Sequence, residues 1–285
     1  MIDRIRIIAN LTFRESYRKK IALTAVILGV AFFILFNLGF YFITIEAQTK
    51  DRPSTARDTS IYVNTVQSFM ANYGLYAINF MIIVMATLVS ADTLAGEIDS
   101  GVIQSITSKP IYRREIILGK FLGFASFLLA YLLIMAGGLI LSVYFQTGNW
   151  VPKAIPGLCY MYLCSLIVLG TTLAFSSRIS TLATGAAIFG LYGIAFIGGW
   201  VEQIGSFVQS TTAVNVGIIS SLIMPTEAIW RKASFEMSSP LTQLFFEHTP
   251  LIAHSTPSML MIFYGIIYMI ASIIIAIREF EKRDL

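Results

Sequence analysis

The chain has 285 residues, 56% of them hydrophobic and 13% charged, with a net charge of +4. Soluble domains carry about 25% charged residues, so this composition excludes an ordinary soluble protein and leaves an integral membrane protein. No nucleic-acid partner is expected.

The first twenty residues are basic and amphipathic. Ile2, Ile5, Ile8 and Leu11 or Thr12 recur at helical spacing with arginines elsewhere. This predicts a helix lying in the inner membrane interface, arginines toward lipid phosphates. The run from Ile21 to Ile45 is uncharged. It is too long for a signal-peptide core and long enough to cross about 30 Å of hydrocarbon, so it reads as a retained span. Further spans are predicted at 68–91, 121–145, 155–177, 180–200 and 257–277, and no Asp, Glu, Lys or Arg lies in the middle of any of them.

Cys159 and Cys164 are five residues apart in the fourth span, a helical rotation of about 500° that points them to different faces. Two buried, inert thiols are expected there, without a disulfide or metal pair. The fifth span carries Gly185, Gly190, Gly193, Gly198 and Gly199, and its Ala186–Gly190 pair suits close helix packing within the subunit. Residues 203–226 are uncharged but polar in their first half, and Val216 to Met224 is too short to cross before Pro225. An external or re-entrant helical segment is predicted, with 201–256 as an outer cap. The last span opens with Thr256 as N-cap and Pro257 at the first helical position. Its tail offers a Glu279–Arg283 pair at i, i+4.

Lys and Arg set the orientation. Fourteen fall on the side of the termini: Arg4, Arg6, Arg14, Arg18, Lys19, Lys20, Lys109, Arg113, Arg114, Lys120, Arg178, Arg278, Lys282 and Arg283. Six fall on the other: Lys50, Arg52, Arg57, Lys153, Arg231 and Lys232. The excess predicts cytoplasmic termini. Trp150, Trp200 and Trp230 then form an outer aromatic belt.

The segment 92–120, between the second and third spans, concentrates charge. Asp99 or Ser100 can cap a short helix with an apolar stripe of Val102, Ile103 and Ile106. Pro110 pushes Lys109 out of the α-region and ends it. Arg113 and Arg114 follow in a turn, and Lys120 can snorkel toward headgroups. An oily stripe facing the cytosol requires a cover, and a partner protein is the natural one.

Glu97, Asp99 and Gly101, the short apolar helix, Ser108-Lys109-Pro110, Arg113 or Arg114, and Gly119-Lys120 together resemble the permease subunits of ABC-2-type transporters. Leu222 to Ser234 is similar to outer-loop segments of prokaryotic members. Val102 departs from the family's usual Thr, and Asp99 from its usual Glu.

The resemblance implies an all-α polytopic membrane protein forming one domain over 1–285. It has six transmembrane helices, an N-terminal interfacial helix, a cytoplasmic coupling helix between spans 2 and 3, and an outer helical or re-entrant segment between spans 5 and 6. It implies a multi-pass subunit of the prokaryotic inner membrane that serves an ATP-driven exporter. The coupling surface would comprise Glu97, Asp99, Gly101, Val102, Ile103, Ile106, Lys109, Pro110, Arg113, Arg114 and Lys120. The implied partners are two copies of an ABC ATPase subunit, a second permease subunit, identical or paralogous, and membrane lipid. The chain has no phosphate-binding G-x-x-x-x-G-K-[ST] loop. No cofactor is expected in it; ATP and Mg would belong to the partner subunit. On this reading the chain is not itself an enzyme.

Ser68, Asn72, Tyr76 and Asn79 fall close to one face of the second span, and Asn37 lies within the first. They read equally as interhelical hydrogen bonds or as a candidate translocation seam between two permease subunits. Two competing functions stand beside the exporter. One is a membrane enzyme or metal-binding protein using Glu247, His248 and His254, whose spacing suits no compact ligand set. The other is a six-span channel or secondary transporter, disfavoured by the uncharged spans. The substrate is not legible.

Overall fold

The computed structural model describes residues 2–49, 56–99, 112–239 and 257–282. Among the described residues every regular element is an α-helix. They are α1 (Ile2–Arg18), α2 (Lys20–Thr49), α3 (Ala56–Asp99), α4 (Arg113–Thr147), α5 (Ala154–Ser176), α6 (Thr181–Phe207), α7 (Thr211–Ile223), α8 (Thr226–Met237) and α9 (Met259–Glu281). Six of them, α2 to α6 and α9, are long and apolar enough to cross a membrane.

The crossing helices outrun the apolar stretches that predict them. The second span, expected over 68–91, belongs to a 44-residue helix. The third starts at Arg113 and the fifth continues to Phe207. Hydropathy marks only the lipid-buried middle; backbone hydrogen bonding carries a helix on into the headgroups. The last helix begins at Met259 with Ser258 as its N-cap, so Pro257 precedes the helix and does not open it. Thr256 lies outside the described residues.

Crossing helices that follow one another along the chain run antiparallel. The C-terminal ends of α3, α5 and α9 gather with the N-terminal ends of α2 and α4 and with α1, through Lys19–Asp92, Lys120–Glu97, Arg113 on the Phe280 and Glu281 carbonyls, and Arg178–Glu279. This is the basic end. Six crossings return the chain to it, so α1 and the end of α9 share one side. Glu279 takes Arg178 and Lys282 as partners; Arg283, its predicted partner, is outside the described residues.

The core forms around α5, which packs against α3, α4, α6, α8 and α9. Cys164, Ile167, Val168, Leu169 and Leu173 on it are fully buried. Cys164 matches the expected buried thiol, while Cys159 is exposed on the helix perimeter, and both are free. Helix α2 stands at the edge with most of its surface outward. That face is apolar, as lipid requires.

Two glycines seat α1. A Cβ at Gly119 would meet the Ile8 side chain at 2.6 Å, and one at Gly123 would meet the Ala9 carbonyl oxygen at 2.6 Å. The two are one turn apart on α4 and let α1 lie backbone-close across it, burying Thr12 and Ser16. Replacing Gly123 by valine is expected to lift α1 off α4 at a cost of about 1–3 kcal/mol, because a backbone atom cannot give way. Hydrogen exchange should then rise across residues 2–18. Gly137→Val, where a Cβ meets nothing within 4 Å, should leave that exchange unchanged.

The α7–α8 pair bends by 108° at Met224 and Pro225. Helix α7 returns antiparallel along α6: Gly205 faces Ala213, Gly217 faces Glu202, and Gly198 faces Ser220. Helix α8 then leads back out, with Thr226 beside Cys164 at its start and Ser238 and Glu236 tied to Asn72 and Lys153 at its end. The chain thus dips into the bundle and leaves on the side it entered. The predicted re-entrant segment is a V-shaped hairpin. Gly198 and Gly199 serve tight packing within the subunit, as expected. Ala186 and Gly190 are exposed, so that pair packs on nothing among the described residues.

Candidate functional site

Two polar regions stand out, one at each end. At the basic end Glu97, in the last turns of α3, pairs with Lys120 of α4 at 2.5 Å. The Lys120 ammonium also donates to the Thr93 carbonyl at 3.4 Å and is only 4% exposed. It does not snorkel. Glu97 and the Thr93 carbonyl at the end of α3 hold the ammonium in the interior.

Lys19, at the junction of α1 and α2, reaches Glu15 at 3.3 Å, Asp92 at 3.5 Å and the Thr93 hydroxyl at 3.3 Å. Arg4 approaches Glu115 at 3.7 Å, while Glu115 accepts the Tyr112 N–H and completes a capping box on α4. Arg113 Nη1 donates to the last carbonyls of α9, Phe280 and Glu281, both at 3.1 Å. A cation at the negative end of a helix is well placed. Arg114 is exposed, its guanidinium 5.1 Å from the Tyr112 ring centre.

The helices at this end are therefore laced together where α3 ends and α4 begins. Within that stretch Gly101, Val102, Ile103, Ile106, Lys109 and Pro110 lie outside the described residues, as does the side chain of Asp99. Glu97, Arg113, Arg114 and Lys120 form its described base. Gly119-Lys120 is occupied in packing α1 and pairing Glu97.

At the far end a small groove, partly open to solvent, is lined by Asn64, Gln67, Ser68 and Asn72 of α3, Thr147 of α4, Asn149, Trp150 and Met237. The candidate seam residues divide among three places. Ser68 and Asn72 share this groove, with Asn72 exchanging hydrogen bonds with Ser234 and Ser238 of α8. Tyr76 and Asn79 lie deeper. The Tyr76 hydroxyl donates to Glu227 at 3.2 Å, and its ring stacks on Trp230 with centroids 5.2 Å apart. Asn79 is 1% exposed, and both its amide atoms lack a partner among the described residues. Asn37 faces α4, accepting from Ser142 and Gln146.

Sequence reasoning missed the root of the hairpin. Arg231 of α8 pairs with Glu202 of α6 at 2.6 Å, both side chains nearly inaccessible, and Glu227 is buried one turn before it. Glu202 lies beyond the apolar stretch that marks the fifth span, where α6 continues and carries the carboxylate into the interior. Trp230 is buried against Tyr76 and Trp150 is exposed, so the three tryptophans do not make one belt. At the rim Glu236 accepts from Lys153 at 2.5 Å and from Lys232 at 3.0 Å, hydrogen bonds that hold its carboxyl below the usual range. Among the described residues no three His, Cys, Asp or Glu side chains group as metal ligands, and Glu247, His248 and His254 fall outside them.

The described residues, all-helical with six helices long and apolar enough to cross a membrane, a bent hairpin and a charged collar at one end, form a polytopic membrane domain. A family model described as ABC-2 family transporter protein matches residues 6–285, and the chain belongs to that family. It is a membrane component of an ABC transporter, which implies an ABC ATPase as partner. No curated protein matches the chain.

Proposed function

We propose that the chain is the permease subunit of an ATP-driven exporter, coupling ATP hydrolysis on a separate ATPase chain to movement of substrate. The carrying observation is the Glu97–Lys120 pair at the base of the 98–111 stretch. It fixes both ends of that stretch to the helices that line the far groove. Val102, Ile103 and Ile106 form the apolar stripe that the ATPase covers, with Arg113 and Arg114 beside it. Two permease subunits, identical or paralogous, pair with two ATPase subunits, and the basic end faces the cytoplasm. ATP binds the closed and open ATPase arrangements unequally, and the docked segment passes that difference to α3 and α4.

Replacing Ile103 and Ile106 together by aspartate is expected to abolish substrate-dependent ATP hydrolysis in reconstituted complexes and to release the ATPase during purification. Survival of both would overturn the assignment. A membrane-inserted variant with a normal melting curve excludes misfolding as the cause.

A further inference from the structure

Glu202, Glu227 and Arg231 share one buried volume at the root of the hairpin, each 5% exposed or less. Glu227 fits there because its side chain lies directly on Gly199, where any Cβ would collide with it. Arg231 spends Nη2 on Glu202 at 2.6 Å and on the Ser221 hydroxyl at 3.5 Å. Glu227 receives one hydrogen bond, from Tyr76 to Oε1, while its Oε2 is buried with no partner among the described residues. The two lysines nearest the hairpin's outer end, Lys153 and Lys232, are both engaged by Glu236.

Two carboxylates and one guanidinium would leave a net negative charge out of contact with water. A buried carboxylate without its own cation is unstable relative to the acid. Among the described residues the groups around Glu227 supply no second cation. Tyr76 comes from α3, Cys164 from α5, Tyr192 and Glu202 from α6, and Arg231 from α8 itself; α7 brings Ser221. A metal ion is a poor occupant, since a guanidinium sits among the carboxyl groups and no third ligand joins them among the described residues.

We infer that Glu227 is a proton-binding site. It takes one proton from water at neutral pH, on Oε2, which is buried with no partner among the described residues. The occupied site is neutral and lets α8 seat on α3 and α6. Loss of the proton sets a second negative charge beside Glu202 and loosens that seat.

Infrared spectra of the purified full chain in lipid nanodiscs provide the test. A carboxylic-acid C=O band is expected at neutral pH and lost in Glu227→Gln; Glu202→Gln, which leaves one carboxylate with the Arg231 guanidinium, should make the band disappear at lower pH than in the wild type. The folded chain then holds a proton that the unfolded chain has released, so the melting temperature of the wild type should fall as pH rises above the ordinary carboxylate range, and Glu227→Gln should remove that slope. Tyr76→Phe removes a donor that favours the ionised form, so the band should persist to higher pH. Absence of the band at neutral pH, its survival in Glu227→Gln, or an unmoved midpoint in Tyr76→Phe overturns the inference. Loss of the band on adding sodium at fixed pH does so too, and assigns the site to a metal cation. None of these measurements involves an ATPase.

Discussion

Arg231→Met is expected to destabilise the chain by about 3–5 kcal/mol, the usual cost of stranding one member of a buried ion pair. Glu202, its side chain 5% exposed, would lose the guanidinium that now lies 2.6 Å from its carboxylate. Its remaining choices are to hold a charge unscreened or to take up a proton, and both weaken the seat of α7 and α8. The informative partner is the double variant Arg231→Met, Glu202→Leu. With both charges gone the desolvation cost disappears, and stability should return to within about 1–2 kcal/mol of wild type, since apolar replacement of a whole buried pair is often neutral. Thermal and denaturant melts in detergent measure both. A single variant within about 0.5 kcal/mol of wild type would mean that the pair does not hold the hairpin.

Lys120→Met is expected to have the second largest effect. The ammonium is buried and bridges α4 to the end of α3, while Glu97 keeps some exposure, so the loss should fall near the low end of the same range, about 3 kcal/mol. If the 98–111 stretch carries the signal from the ATPase, the variant should also lower substrate-dependent ATP hydrolysis about 5-fold or more. Adding Glu97→Gln removes the stranded charge. It should restore most of the stability and little of the coupling. Joint recovery of both would make the pair a structural fastener only.

Much of the fold was legible because lipid imposes simple rules. Uncharged runs such as Ile21 to Ile45 marked six crossings, and the short apolar stretch before Pro225 marked a segment unable to cross. Helix ends were less legible: α3 continues for a dozen residues before the run that signals it and eight after, and hydropathy is silent there. Charges near the ends of spans were misread for the same reason. Lys120 was expected to seek headgroups because no sequence rule announces that Glu97, 23 residues earlier, stands opposite. Glu202 and Arg231 are 29 residues apart, and only the hairpin's bend brings them together. One local signal was readable: Glu227 and Arg231 sit at i, i+4 on a short helix, the spacing that sets two side chains on one face.

Helix α3 runs unbroken through 44 residues without a proline, about 66 Å at the usual rise, and so projects well past a hydrocarbon layer of about 30 Å. Glu97 stands near one tip, and Asn64, Ser68 and Asn72 are mounted toward the other. A stiff rod of that kind behaves as a lever. A tilt of only a few degrees applied at one tip sweeps the opposite tip through several ångströms, so a nudge beneath the membrane could reshape the groove above it without any chain of intermediary side chains.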